Sequence, residues 1–149
     1  MTKSLPPKSL VLYADDDPDD QEFVQEAFSA YQNTIDLILF NNGAELLSYI
    51  GNDFPYTLPC LVILDINMPY LNGKETLKKI REKKDWENVA VVLFSTSTLP
   101  ADNEFAKRYG AYFITKPLHA IQIHQLMDQF IEHCSDEVKR KIRSQGSGQ

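Results

Sequence analysis

The sequence has only two cysteines and no long apolar run. Cys60 and Cys134 lie far apart among apolar residues, so we expect buried thiols in a reducing compartment and neither a disulfide nor a metal pair. No apolar stretch is long enough to span a bilayer, and the N-terminus lacks the apolar core of a signal peptide. We therefore expect a cytoplasmic protein without a membrane partner.

Positive charge is also scarce. The chain has 15 Lys and Arg against 21 Asp and Glu, and the formal net charge of −6 argues against a nucleic-acid or anionic-membrane partner. Its 149 residues, 43% of them hydrophobic, suit one globular domain. The composition predicts a flexible lead-in at 1–8, one domain at 9–143 and a disordered Gly/Ser-rich tail at 144–149.

A run of four apolar residues, Leu61–Leu64, organises the prediction of the fold. Such an unbroken run is typical of a strand buried on both faces of a parallel sheet. Similar runs occur at 10–14, 89–94 and 111–115, with a weaker one at 35–40, and apolar residues at helical spacing follow each run. Five strand–helix units predict a three-layer αβα, flavodoxin-like (βα)5 fold whose parallel sheet has the order 2-1-3-4-5.

Polar residues follow these strands, at the edge where the working site of an open α/β sheet lies. Asp15 and Asp16 follow the first strand, Asp65 the third, Ser95 the fourth and Lys116 the fifth. Three carboxylates at close range repel one another unless a cation intervenes, and hard oxygen ligands favour Mg²⁺. A carboxylate beside Mg²⁺, a lysine and a hydroxyl predicts phosphoryl transfer to Asp65.

The aspartates that come after Asp16 have a structural interpretation. Asp17 before Pro18 predicts the N-cap of the first helix, with proline at its first position. Asp19 and Asp20 then lie in the first turn, where the helix dipole favours negative charge. We therefore assign these carboxylates to the helix and not to the site.

The set Asp15-Asp16, Asp65-x-Asn67-Met68-Pro69, Ser95 and Lys116-Pro117 resembles the receiver domain of bacterial response regulators. The resemblance extends from Leu10 to about Cys134. It implies a stand-alone receiver of a two-component signalling system, which takes a phosphoryl group from a sensor histidine kinase or a phosphotransfer protein. It also implies that the chain is not an enzyme, although it assists its own phosphorylation and dephosphorylation, and that a further protein reads the output.

The resemblance implies a role for each residue of the site. Asp65 matches the phosphoacceptor, and Asp15 and Asp16 match the acid pair that holds Mg²⁺, Asp16 directly and Asp15 through water. The backbone carbonyl of Asn67 completes the metal shell. Lys116 matches the lysine that pairs with a phosphoryl oxygen.

The resemblance also implies a switch. Ser95 matches the hydroxyl that turns toward the phosphoryl group, and Phe113 matches the aromatic residue that responds, although it lacks the hydroxyl often found there. The surface of the fourth helix, fifth strand and fifth helix is then the expected output or homodimer surface. Thr96 stands where the family often has alanine and is expected to narrow access, and the bond before Pro117 is expected to be cis.

Two other functions remain as alternatives. A Mg²⁺-dependent phosphohydrolase with an aspartyl-phosphate intermediate, of the haloacid-dehalogenase type, would carry a second aspartate two residues after its nucleophile. Here that position is Asn67, which cannot donate a proton in that way. A flavin-binding electron carrier would need a Ser/Thr/Gly-rich phosphate loop after the first strand, where this chain has five aspartates. The phosphohydrolase is the stronger alternative.

Overall fold

The computed structural model describes residues 8–51, 57–117, 123–134 and 139. Its five strands all pair in parallel. They are β1 (Ser9–Ala14), β2 (Ile35–Phe40), β3 (Leu61–Leu64), β4 (Val91–Ser95) and β5 (Tyr112–Thr115). The strand order is β2-β1-β3-β4-β5, which confirms the predicted topology.

Helices alternate with the strands, and the caps expected from the sequence are present. The Asp17 carboxylate accepts the Asp19 N–H at 2.9 Å, and Pro18 occupies the first helical position. Gly51, at φ +53°, ends the second helix. The helices are α1 (Pro18–Ser29), α2 (Gly43–Ile50), α3 (Gly73–Arg81), α4 (Pro100–Arg108) and α5 (Ile123–Glu132).

The sheet separates two apolar cores, because alternate residues of each strand point to opposite faces. Tyr13 packs with residues of α1 and α5, among them Phe28 and Phe130. Leu12 packs on the other face with residues of α2, α3 and α4. All four residues of β3 are buried, as expected for a central strand covered on both sides.

Three strands differ from their predicted bounds by one or two residues, and β1 begins one residue earlier than predicted, at Ser9. β4 begins at Val91 and not at Val89, because the Val89 N–H bonds the Trp86 carbonyl and the Val89 carbonyl accepts a hydrogen bond from Arg81 at 2.7 Å. β5 begins at Tyr112, one residue later than predicted. Trp86 itself is buried in the core shared with α3 and β4.

Several predictions fall outside the described residues. They are the lead-in except for Lys8, the start of the fifth helix at Leu118 and the tail at 144–149. Cys60 and Cys134 are free thiols, and their sulfur atoms lie 3.8 Å apart, a proximity that the sequence does not indicate. None of the helices in the described part of the chain combines the length and apolarity needed to cross a membrane.

Gly73 sets the approach of α3 to the end of β3. Its N–H bonds the Ile66 carbonyl at 2.8 Å, and a Cβ at this position would overlap the Asp65 carbonyl oxygen. Alanine in a helix normally stabilises by up to about 1 kcal/mol relative to glycine. Here the steric overlap outweighs that gain, so we expect Gly73→Ala to lower the free energy of unfolding by about 1–3 kcal/mol in urea denaturation.

Lys79→Ala, on the exposed face of the same helix, is the matched control and should change the stability by less than about 0.5 kcal/mol. A Gly73→Ala variant as stable as the wild type would show that the close approach is not required.

Candidate functional site

Backbone hydrogen bonds fix the side chains at the carboxyl edge of the sheet. The Asp15 N–H donates to the last carbonyl of β2, and the Asp65 N–H donates to the last carbonyl of β1. The Lys116 N–H donates to the Ser95 carbonyl, the last of β4. Each residue therefore extends the hydrogen bonding of its strand by one residue, and the backbone of the site is held as firmly as the sheet.

The carboxylates of Asp15, Asp16 and Asp65 converge as predicted. One carboxylate oxygen from each residue lies within 4.8 Å of those from the other two. Asp15 and Asp65 are buried, and Asp16 is exposed to solvent. Three hard oxygen donors, one of them facing water, suit a divalent ion such as Mg²⁺ or Mn²⁺ that keeps part of its water shell. Asn67 follows in the turn after β3 and is exposed.

The ammonium of Lys116 lies among three carboxylates. Its Nζ is 3.0 Å from Asp15, 3.2 Å from Asp65 and 2.7 Å from Asp20. Burial alone would lower the pKa of Lys116, but the hydrogen bond to Asp20 and the charges of Asp15 and Asp65 outweigh it and raise the pKa above its ordinary value. The lysine is therefore charged at any physiological pH.

Asp20 is the first of two site residues that the sequence interpretation missed. It does lie in the first turn of α1, but its carboxylate makes the shortest of the three contacts with Lys116. A signal was present: Asp20 precedes the buried residues Val24, Ala27 and Phe28 at helical spacing, so it continues the inward stripe of α1.

Tyr13 is a second missed residue. Its hydroxyl donates to Asp15 Oδ2 at 2.8 Å inside the protein. Burial, followed by the charge of Asp15, raises the pKa of Tyr13 far above its ordinary value, so it remains a donor. Tyr13 and Asp15 are two residues apart and therefore point to the same face, a relation that could have been read from the sequence. The Asp17 N–H, at 3.0 Å, holds the other oxygen of Asp15.

The surroundings of Asp65 disfavour the ionised form of its carboxyl group. Burial and the neighbouring charge of Asp15 raise the pKa of Asp65 to about 6, and Lys116 offsets only part of this increase. The Lys116 ammonium lies 3.2 Å from the Asp65 carboxylate, but its positive charge does not fully offset the increase in pKa caused by burial beside a second carboxylate. The group is ionised at neutral pH at a cost to the stability of the fold.

Ser95 is buried at the end of β4, and its hydroxyl oxygen accepts the Ser97 N–H at 3.2 Å. The Ser97 hydroxyl in turn donates to Asp102, which pairs with Lys74 of α3. The hydrogen bond from Lys74 and then that from Ser97 lower the pKa of Asp102. The loop between β4 and α4 is thus tied to both α3 and α4. Thr96 is exposed.

Phe113 is half-buried on β5 and packs against the core on the α4 side of the sheet. The preceding Tyr112 is 45% exposed and stacks on His133, with ring centroids 3.8 Å apart. Because Tyr112 and Phe113 are adjacent on β5, the Tyr112–His133 pair lies on the α5 side of the sheet and Phe113 on the α4 side.

Comparison with known proteins identifies the family. The sequence profile described as "Response regulator receiver domain" matches residues 11–128, well over half of the chain. The chain belongs to the response regulator receiver family. A curated relative, response regulator Rcp1 of Synechocystis sp., is 30% identical over 98 residues, which cover 64% of this chain and 66% of Rcp1. The match thus spans about two thirds of that relative's length.

Two solved structures share the receiver fold at 24% sequence identity. The phosphorylated cyanobacterial phytochrome response regulator RcpA has a TM-score of 0.76, with 85% of this chain and 93% of RcpA covered. The Mn²⁺-bound form of Rcp1 has a TM-score of 0.72, with 83% and 91% covered. Membership of the receiver family agrees with the resemblance read from the sequence, and the phosphohydrolase alternative is not favoured.

One expectation derived from the receiver resemblance is wrong. The bond between Lys116 and Pro117 is not cis, since the described residues contain no cis peptide bond. The trans isomer is the more stable one before proline by about 0.5–1 kcal/mol.

The raised pKa of Asp65 predicts a pH-dependent gain in stability when its charge is removed. A carboxyl whose pKa rises on folding stabilises the fold at low pH, and this contribution is lost as the pH rises through about 6. In EDTA at pH 7.5, we expect Asp65→Asn to raise the free energy of unfolding by about 1–3 kcal/mol.

The gain should fall to about half at pH 5, because the folded Asp65 is then largely protonated whereas the carboxyl of the unfolded chain is still ionised, and it should disappear only below about pH 4. Chemical denaturation at the two pH values measures it, with Asp36→Asn as the control, because Asp36 is exposed on β2. An equal change at both pH values would contradict the electrostatic explanation.

Proposed function

We propose that Asp65 is the phosphoacceptor of this receiver and that Lys116 and the Asp15–Asp16 pair support the transfer. The observation that carries the proposal is the convergence of three carboxylates and one ammonium at a single edge of the sheet. Asp65 combines a fixed strand end, a neighbouring lysine and two further acidic ligands. In the described residues, no other cluster of three such groups meets these conditions.

The residues that would hold the metal are Asp15, Asp16 and Asp65, with the backbone carbonyl of Asn67. We infer that the ion is Mg²⁺, because all of these donors are hard oxygens. The Mn²⁺-bound form of Rcp1, a receiver of the same fold, supports a divalent ion at this site. When bound, such an ion supplies the positive charge that offsets the repulsion among the three carboxylates and an incoming phosphoryl group.

Asp65 acts as the nucleophile. At neutral pH it is mostly ionised, since its pKa is about 6. A carboxylate oxygen attacks the phosphorus of a phosphohistidine, the P–N bond breaks, the imidazole leaves and an acyl phosphate forms on Asp65. Lys116 binds an oxygen of the transferred group, because its ammonium already lies within contact distance of Asp65.

The donor is a sensor histidine kinase or a phosphotransfer protein. These are the phosphohistidine proteins that serve receivers, and we infer a cytoplasmic location for the chain because it belongs to the receiver family. The receiver itself assists phosphorylation and dephosphorylation of Asp65 but converts no other substrate. The signal leaves through an output protein or a second copy of the chain.

Ser95 and Phe113 form the proposed switch. The phosphoryl group adds negative charge and acceptor oxygens, and the buried Ser95 hydroxyl, whose oxygen accepts the Ser97 N–H, can donate its own hydrogen to one of them when it turns toward Asp65. The loop then moves inward and leaves space for the half-buried Phe113 ring. The phosphoryl group thereby shifts the population between two arrangements of the α4-β5-α5 surface, which is the proposed output or homodimer surface.

The first test of this function is phosphorylation itself. With Mg²⁺ and acetyl phosphate, the wild-type chain should gain the mass of one phosphoryl group, whereas Asp65→Asn should gain none. Asp16→Ala, which removes a proposed metal ligand, should react at least about tenfold more slowly. Intact-mass spectrometry over time gives the rates.

Asp19→Asn is the matched control, because it removes an exposed carboxylate from the same acidic segment and should keep the wild-type rate. Phosphorylation of Asp65→Asn at the wild-type rate would refute the assignment of the acceptor.

A second test addresses the switch. Ser95→Ala should still bind beryllofluoride at Asp65, but the amide NMR shifts around Phe113 and Tyr109 should move less than in the wild type, because the loop has lost its bond to the phosphoryl mimic. Thr98→Ala, an exposed hydroxyl of the same loop, should respond like the wild type. Full-size shifts in Ser95→Ala would exclude Ser95 as the link between site and surface.

A further inference from the structure

We propose that Asp20 is a positioning residue that competes with the phosphoryl group on Asp65 for the ammonium of Lys116. This inference rests on the proposed function and adds a residue that regulates phosphorylation at the same site. Asp20 holds Lys116 in the resting receiver and must give it up, wholly or in part, when Asp65 is phosphorylated. Asp20 thus determines how readily the receiver adopts the conformation in which Lys116 binds the phosphoryl group.

The geometry of Lys116 creates the competition. An ammonium has three N–H donors. Three carboxylates lie within 3.2 Å of Lys116 Nζ, and Asp20, at 2.7 Å, is the nearest. A phosphoryl oxygen at Asp65 must therefore share or replace an existing partner of the lysine.

Of these three partners, Asp20 is the one that can be released at least cost. Asp15 is fully buried and held by the Tyr13 hydroxyl and the Asp17 N–H. Asp65 is the acceptor itself. The Asp20 side chain is 34% exposed on the first turn of α1, so its carboxylate can turn into water and be hydrated.

The simpler interpretation is that Asp20 only stabilises the N-terminus of α1. That role is available to Asp19, which lies in the same turn and is exposed. What distinguishes the two residues is the contact of Asp20 with Lys116, which spans 96 positions in the sequence. A comparison of the two variants therefore separates the specific contact from the general effects of charge and helix dipole.

Removal of the Asp20 charge should make Lys116 more available to an anion at Asp65. A partly exposed ion pair contributes little, so the gain is modest, and we expect Asp20→Asn to bind beryllofluoride about threefold to fivefold more tightly than the wild type. Asp19→Asn should change the affinity by less than about twofold, because a more distant exposed charge is screened by salt.

The experiment uses the full chain in three forms: wild type, Asp20→Asn and Asp19→Asn. Beryllofluoride is titrated in the presence of Mg²⁺ and followed by amide NMR at 0.15 M salt. In the metal-free proteins, the ¹⁵N signal of the Lys116 ammonium is recorded as a second readout, which does not depend on phosphoryl chemistry. Urea denaturation checks that both variants are equally stable.

Tighter binding by Asp20→Asn alone, together with a shifted and faster-exchanging Lys116 ammonium in that variant alone, is the expected result. Equal affinities for the two variants, weaker binding by Asp20→Asn, or an unchanged ammonium signal would overturn the inference while leaving the proposed function intact. Failure of the wild type to bind beryllofluoride would refute the proposed function, and this inference with it.

Discussion

A single buried ammonium keeps three carboxylates together at the edge of the sheet. Lys116 contacts Asp15, Asp20 and Asp65 within 3.2 Å, and two of these carboxylates are buried. Buried like charges at such distances are unfavourable unless an opposite charge lies among them. The position of Lys116 is therefore the constraint on which the site depends, and its backbone bond to the last carbonyl of β4 fixes that position.

The ammonium compensates for only part of the negative charge. The pKa of Asp65 is raised to about 6 despite its contact with Lys116, because burial and Asp15 act against ionisation. The side chains of the site therefore carry an excess of negative charge, which a bound divalent ion would offset. The proposed phosphoryl transfer would therefore need a cation at this site. For the same reason, the proposed acceptor and the proposed metal ligands are one electrostatic unit.

The sequence was sufficient for the topology and for most of the site, since unbroken apolar runs mark buried strands and polar residues at their ends meet at one edge. It was insufficient where a contact joins elements that are distant in the chain. A carboxylate in the first turn of a helix is already explained by the helix dipole, so the sequence alone gives no reason to expect the contact between Asp20 and Lys116. Tyr13 looked like core because its hydroxyl meets Asp15 inside the protein. β4 begins later than the sequence predicts because Arg81 of α3 donates a hydrogen bond to the Val89 carbonyl.

The two faces of the sheet connect to the site in different ways. On one face, Asp20 links α1 directly to Lys116, so a change of charge at Asp65 would reach that helix through the lysine. On the other, Ser97 and Asp102 join the loop after β4 to Lys74 of α3. A loop that moves toward the acceptor must either carry the first turn of α4 with it or break the bond between Ser97 and Asp102. Both outcomes change the surface beside Phe113, which is why the proposed switch operates on the α4 side of the molecule.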